Sequence, residues 1–240
     1  MMKIKRNNFW SAAKAIAATL LFGISIGNAQ LPIFITEIAD PSNAASNGRF
    51  VELYNSADVD INLGLGNYVL KRWTNGNDVA TASQNISLSG IIPANGFYIV
   101  GRSGFEDLYG FPPNQISSNG PIDSNGDDQI GLFKENFLVD IFGVPGEDGS
   151  GTAHDFEDGR AERINTIYLG FGSWVATDWN VVSGNVDAPD GYDPGSWIGQ
   201  PVEEPEVPGT VTFTLLDGAD NMLPENQDHI TENVKLTRGS

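Results

Sequence analysis

From Leu31 to about Phe142 the chain alternates short apolar runs with clusters of Gly, Asn, Asp, Ser and Pro, and no helical apolar period is sustained over ten residues. Runs of that length bounded by turn formers predict strands. The predicted strands are Ile33 to Ile38, Arg49 to Asn55, Tyr68 to Trp73, Ile86 to Leu88, Phe97 to Val100, Gln129 to Phe133 and Leu138 to Phe142. Seven short strands suit two packed sheets, so the fold class predicted is all-β, a sandwich. The pairs Asn47-Gly48, Asn75-Gly76, Asn95-Gly96, Asn119-Gly120 and Asn125-Gly126 fall between runs, where residues tolerant of positive φ are wanted.

Beyond Gly143 a loop rich in Gly and Asp leads to Trp174 and Trp179, which are expected to close the core. The sandwich is therefore assigned to residues 31–184. From Asn185 the composition turns to Asp, Pro and Gly, and Pro201 to Pro208 alternates proline with acid and valine. Residues 185–209 are expected to form a stiff, exposed linker. Residues 210–240 hold one strand candidate, Val211 to Leu216, and read as a tail or the start of a truncated second domain.

The N-terminus has its own pattern: basic Lys3, Lys5, Arg6 and Lys14, an apolar run from Ala15 to Ile26, then the small residues Gly27 and Ala29. That is the layout of a secretory signal peptide over residues 1–29, and its apolar run is too short for a permanent span, which takes roughly twenty residues. A secreted or cell-surface location is expected, with no membrane span after cleavage.

Charge narrows the choice of partners. Without the signal segment nine basic residues remain against thirty-one acidic ones, about −22. Such a chain repels phosphate backbones, so direct nucleic-acid binding is not expected. Calcium and basic surfaces are better matched. There is no cysteine, which excludes disulfides, thiolate metal sites, a thiol nucleophile and lipoprotein acylation. The fold must stand on an apolar core, which a domain of about 150 residues can supply.

Several constellations of polar residues bear on chemistry. The chain has two histidines, His154 in a Gly-rich loop and His229 in the tail, and neither makes a Ser-His-Asp set probable from sequence. In Asp123-Ser-Asn-Gly-Asp-Asp128, the alternation of Asp123, Asn125 and Asp127, followed by Asp128, suits a calcium loop, although Lys134 stands where an EF-hand would place its glutamate. An Asx-rich turn explains the same residues. Glu147, Asp148, Asp155, Glu157 and Asp158 crowd one loop and read as solvated, or as ordered by calcium or a basic partner. Glu37 and Glu52 interrupt apolar strands, and a buried carboxylate needs a partner. Arg163 is the first candidate for Glu52 and Arg72 the second, both read as structural ion pairing.

The order of Ile35-Thr-Glu-Ile38, Arg49-Phe-Val-Glu-Leu-Tyr-Asn55 and Asn67-Tyr-Val-Leu70 resembles the opening of lamin tail domains. Leu88 to Val100, Ser124 to Leu132, Val139-Asp-Ile-Phe-Gly143 and the arginine of Arg160-Ala-Glu-Arg163 follow in that family's order over residues 31 to 182. The resemblance implies an immunoglobulin-like sandwich without catalytic residues. Bacterial members are secreted, often as one module of extracellular nucleases, phosphatases or adhesive proteins. The segments Phe105 to Pro121 and Glu147 to Asp158 depart from the family pattern. Three roles are therefore expected: a non-catalytic module anchoring to a cell-surface, matrix or glycan partner; an accessory domain of a secreted nuclease or phosphatase; or a subunit that self-assembles by strand donation into a surface layer or filament.

Overall fold

The structure is a computed structural model and describes residues 31–197. Its strands are β1 (Ile33–Ala39), β2 (Phe50–Asn55), β3 (Ile61–Asn62), β4 (Tyr68–Trp73), β5 (Ile86–Ser87), β6 (Ile91–Ile92), β7 (Gly96–Gly101), β8 (Gln115–Ile116), β9 (Gln129–Lys134), β10 (Phe137–Phe142), β11 (Arg160–Arg163) and β12 (Trp179–Val182). One short helix, α1 (Phe105–Tyr109), follows β7. A six-stranded sheet runs in the order β12-β11-β1-β2-β7-β8, a four-stranded sheet in the order β10-β9-β4-β5, and β3 pairs with β6. This is the all-β sandwich the apolar alternation predicts. All seven expected strands are present; β11 and β12 extend the large sheet, and α1 occupies part of the 105–121 segment.

The main core lies between the two larger sheets. Ile33, Ile35, Ile38, Val51, Leu53 and Val100 face Leu70, Ile130, Leu132 and Phe142, and Trp179 closes it as expected, with Trp174 packed alongside. The large sheet is also covered on its back. Phe50, Ile99 and Ala39 form a second cluster with Phe105 of α1 and with Ala188 and Tyr192 of the C-terminal segment. Burial on both faces explains why all seven residues of β1 are inaccessible.

That second layer corrects the expected domain boundary. Residues 185–197 are a strap bound to the sheet: Val186 N–H donates to Asp158 O, Ala188 and Asn43 exchange two hydrogen bonds, and Tyr192 Oη donates to Gly159 O at 2.9 Å. Tyr192 and Trp197 are buried. Two large aromatic anchors outweigh a composition that otherwise signals a linker. Residues 198–209, the Val211 to Leu216 strand, the 1–29 signal segment and His229 lie outside the described residues.

Turn chemistry agrees with the sequence at some positions only. Asn75 and Gly76 both take positive φ, at 46° and 73°. Asn119, at φ −87°, instead leads into a 3-10 turn over Gly120–Ile122. Gly126, at φ +99°, passes so close to the next loop that an added Cβ would lie 2.1 Å from Glu157 Cα.

Candidate functional site

Two strands contain register breaks, and each break carries a buried carboxylate. In β1 the pairing with β2 shifts between Ile35 and Glu37, so that two polar residues in succession, Thr36 and Glu37, face away from the main core. In β10 the pairing with β9 shifts between Leu138 and Asp140, which sets Asp140 opposite Leu132 on the core side. A bulge re-aims a side chain without ending the strand.

Asp140 is the carboxylate that takes Arg163. The two lie 2.6 Å apart, nearly inaccessible, and Asp140 also accepts from the N–H groups of Ile35 and Phe171 while Arg163 Nε donates to Ile35 O. The guanidinium carbon stands 4.3 Å over the Trp179 ring. Burial raises the Asp140 carboxyl, against the pull of Arg163 and the two N–H donors. With every oxygen satisfied the pair joins β10 of one sheet to β1 and β11 of the other, which is a structural task. The expected pairing of Glu52 with Arg163 is thus corrected. A carboxylate inside the apolar run Leu138 to Phe142 was the signal that could have singled out Asp140, by the same reasoning that picked out Glu52.

Arg72 is also engaged elsewhere, donating to Asp128 at 3.0 Å and to Gln84 at 2.7 Å. Asp128 in turn accepts from the Asn75 N–H, and Asn75 Nδ2 donates to Asp127. Asp123 accepts from Arg102 and Arg49, and Arg49 reaches Asp40 at 2.6 Å. These contacts engage two of the four residues read as a calcium loop, Asp123 and Asp128, while Asp127 Oδ1 is buried without a hydrogen-bond partner. Guanidinium groups already neutralise Asp123 and Asp128, Asn125 is exposed, and among the described residues no group of three or more His, Asp or Glu is arranged to hold a metal ion.

In the acidic loop, carboxylates cap their own backbone. Asp155 accepts from the Gly151 and Glu157 N–H groups, Asp148 accepts from the Ser150 N–H, and Glu147 meets the buried His154 ring at 3.0 Å. No hydroxyl nucleophile is hydrogen-bonded to the His154 ring, which packs against Phe142 and Trp174.

Glu37 and Glu52 are buried as expected, but beneath the strap and beside other acids. Glu37 pairs across the ladders with Glu52 on one side and Glu162 on the other. Glu52 accepts from Thr36 Oγ1 at 2.7 Å and from the Gly195 N–H of the strap at 2.5 Å. Glu37 Oε1 is buried with no hydrogen-bond partner. Burial pushes Glu52 up to about 7, and burial together with the nearby Glu52, Asp193 and Glu162 carries Glu37 well above the usual carboxylate range. Arg160 offsets this only in part, since it bridges Glu162 at 3.3 Å and Asp193 at 3.8 Å.

Beside this row, the strap and β11–β12 enclose an open cleft of about 410 Å³ lined by Glu162, Asn165, Asn180, Asp193, Ser196 and Trp197. Trp197 is fixed there by donating from Nε1 to Arg163 O at 2.7 Å and by stacking edgewise on Phe34. Carboxylates, amides and a hydroxyl on a rigid aromatic base can hydrogen-bond a polar, uncharged or cationic ligand. Among the described residues no helix is long and apolar enough to cross a membrane. The chain matches no protein-family model and no curated protein sequence.

Proposed function

We propose that this chain is a secreted, non-catalytic binding or anchoring module of the lamin-tail type, holding a cell-surface, matrix or glycan partner in the cleft between the strap and β12. The observation that carries the reading is the chemistry of that cleft: Asn165, Asn180 and Ser196 stand exposed around Glu162 and Asp193, a set that suits the hydroxyl groups of a glycan. The strongly acidic chain repels nucleic acid, in line with the same role.

The test is a binding panel. The protein lacking residues 1–29 is exposed to immobilised polysaccharides and basic matrix peptides, beside a variant carrying Asn165→Ala and Asn180→Ala. Capture of a glycan by the parent, with at least tenfold weaker capture by an equally stable variant, supports the cleft. Equal capture by both, or capture of nothing in the panel, refutes it.

A further inference from the structure

The strap that walls the cleft is seated on acids that no cation neutralises. Among the described residues neither Glu37 nor Glu52 forms a salt bridge, while the nearest arginines are engaged, Arg160 with Glu162 and Asp193 and Arg163 with Asp140. Residues directly opposed on neighbouring antiparallel strands have Cβ atoms within about 5.5 Å, and like charges there repel. Glu52 nevertheless grips the strap through Gly195, and Glu37 lies in the same layer with an oxygen left unpartnered.

We propose that residues 185–197 are a proton-controlled latch, closed over the back of the large sheet while the Glu37–Glu52 pair keeps at least one proton and opening more often when both carboxylates are ionised. The proposal concerns regulation of the cleft, and in that respect rests on the binding role given above. The latch itself needs no ligand to be observed.

The charged and titratable groups facing the pair come from every neighbouring element. β11 supplies Glu162 and Arg160, the strap supplies Asp193 and Tyr192, and α1 supplies Tyr109. The added acids disfavour a second negative charge, and Tyr109 and Tyr192, both raised by burial, stay neutral across the neutral range. Arg160 is the one cation in this set, and it is shared between two other acids. Ionising both glutamates therefore places adjacent negative charges in a layer sealed from water. The seal nearest to them is the strap, which is held by a limited number of hydrogen bonds and two aromatic anchors. Lifting it hydrates both carboxylates without disturbing the main core on the other face of the sheet. Asp193, Ser196 and Trp197 line the cleft and belong to the strap, so opening the latch dismantles one wall of the cleft.

Amide hydrogen exchange on the intact protein tests this, with each rate normalised to the intrinsic rate at its pH. Protection at Gly195 and Tyr192, measured against the Leu70 and Leu132 amides in the other sheet, should fall on the order of a hundredfold between pH 5 and pH 8, because opening returns Glu52 from about 7 to an ordinary carboxylate value. Glu52→Gln and Glu37→Gln, together, should flatten that pH dependence. Strap protection that follows Leu70 and Leu132 across the range in the parent protein overturns the latch, whether or not the double variant folds. A strap that loosens selectively supports it even if the binding panel captures nothing, so the two ideas fail separately.

Discussion

Arg163 Nη2 donates to Asp140 Oδ2 at 2.6 Å, and this contact, with the Ile35 N–H bond to the same oxygen, ties the two sheets together at a point that water does not reach. Removing one member of such a pair strands a charge, which costs on the order of 3 to 5 kcal/mol. Arg163→Ala should therefore lower the melting temperature by about 10 °C, at roughly 2–4 °C per kcal/mol for a domain of this size. A thermal double-mutant cycle should place the coupling between Arg163 and Asp140, with little between Arg163 and Glu52. Equal coupling to Glu52 would contradict the geometry.

Glu52 makes overall stability depend on pH in a definite direction. Its folded value of about 7 lies above the ordinary 4.5, so the native state holds a proton that the unfolded chain has released. Its stabilising effect is complete below pH 4.5 and is lost as the pH rises through 7, a loss of about 3 kcal/mol. Melting curves should show the parent losing stability over that window relative to Glu52→Gln. Parallel curves for the two proteins would show that Glu52 titrates normally.

Deleting the strap should damage the fold. A chain ending at Ser183 loses Tyr192 from above Phe50 and Trp197 from above Phe34 and Tyr54, and buried aromatic truncations cost about 3–5 kcal/mol each. It should be poorly soluble or melt far below a chain ending at Gln200. Matching melting temperatures for the two would return residues 185–197 to the status of a linker.

Calcium should leave the protein unaffected. A specific site occupied at one hundred times its dissociation constant would add about 2.7 kcal/mol of stability. With Asp123 and Asp128 paired to arginines, melting curves in calcium and in chelator should coincide.

Gly126→Ala is predicted to be among the most damaging small substitutions. It combines φ +99° with a Cβ lying 2.1 Å from the Glu157 backbone, so a loop must move and the Phe156 N–H bond to Gly126 O at 2.8 Å is put at risk. A cost of about 3 kcal/mol or more, read by denaturant unfolding, is expected.

The strands were legible because short apolar runs such as Tyr68 to Trp73 and Gln129 to Phe133, most of whose residues are buried, are bounded by turn formers. The presence of buried acids was legible too, since Glu37 and Glu52 sit inside apolar runs. Their partners were not, because which arginine reaches which carboxylate depends on how the sheets pack and on the breaks at Ile35/Glu37 and Leu138/Asp140. Residues 185–197 were missed for a related reason. Gly, Pro and Asp describe how a backbone bends, whereas docking was decided by Tyr192 and Trp197, two side chains too widely spaced to form a periodic signal.

The arrangement of arginines governs how one molecule meets another. Each of the five between Leu31 and Trp197 is bonded to a carboxylate of its own chain, and Lys71 and Lys134 lie over the rings of Phe133 and Tyr68. The remaining carboxylates gather a counterion cloud of one sign. Neighbouring copies should stand apart in dilute buffer and crowd together only as added salt compresses that cloud to about 10 Å at 0.1 M.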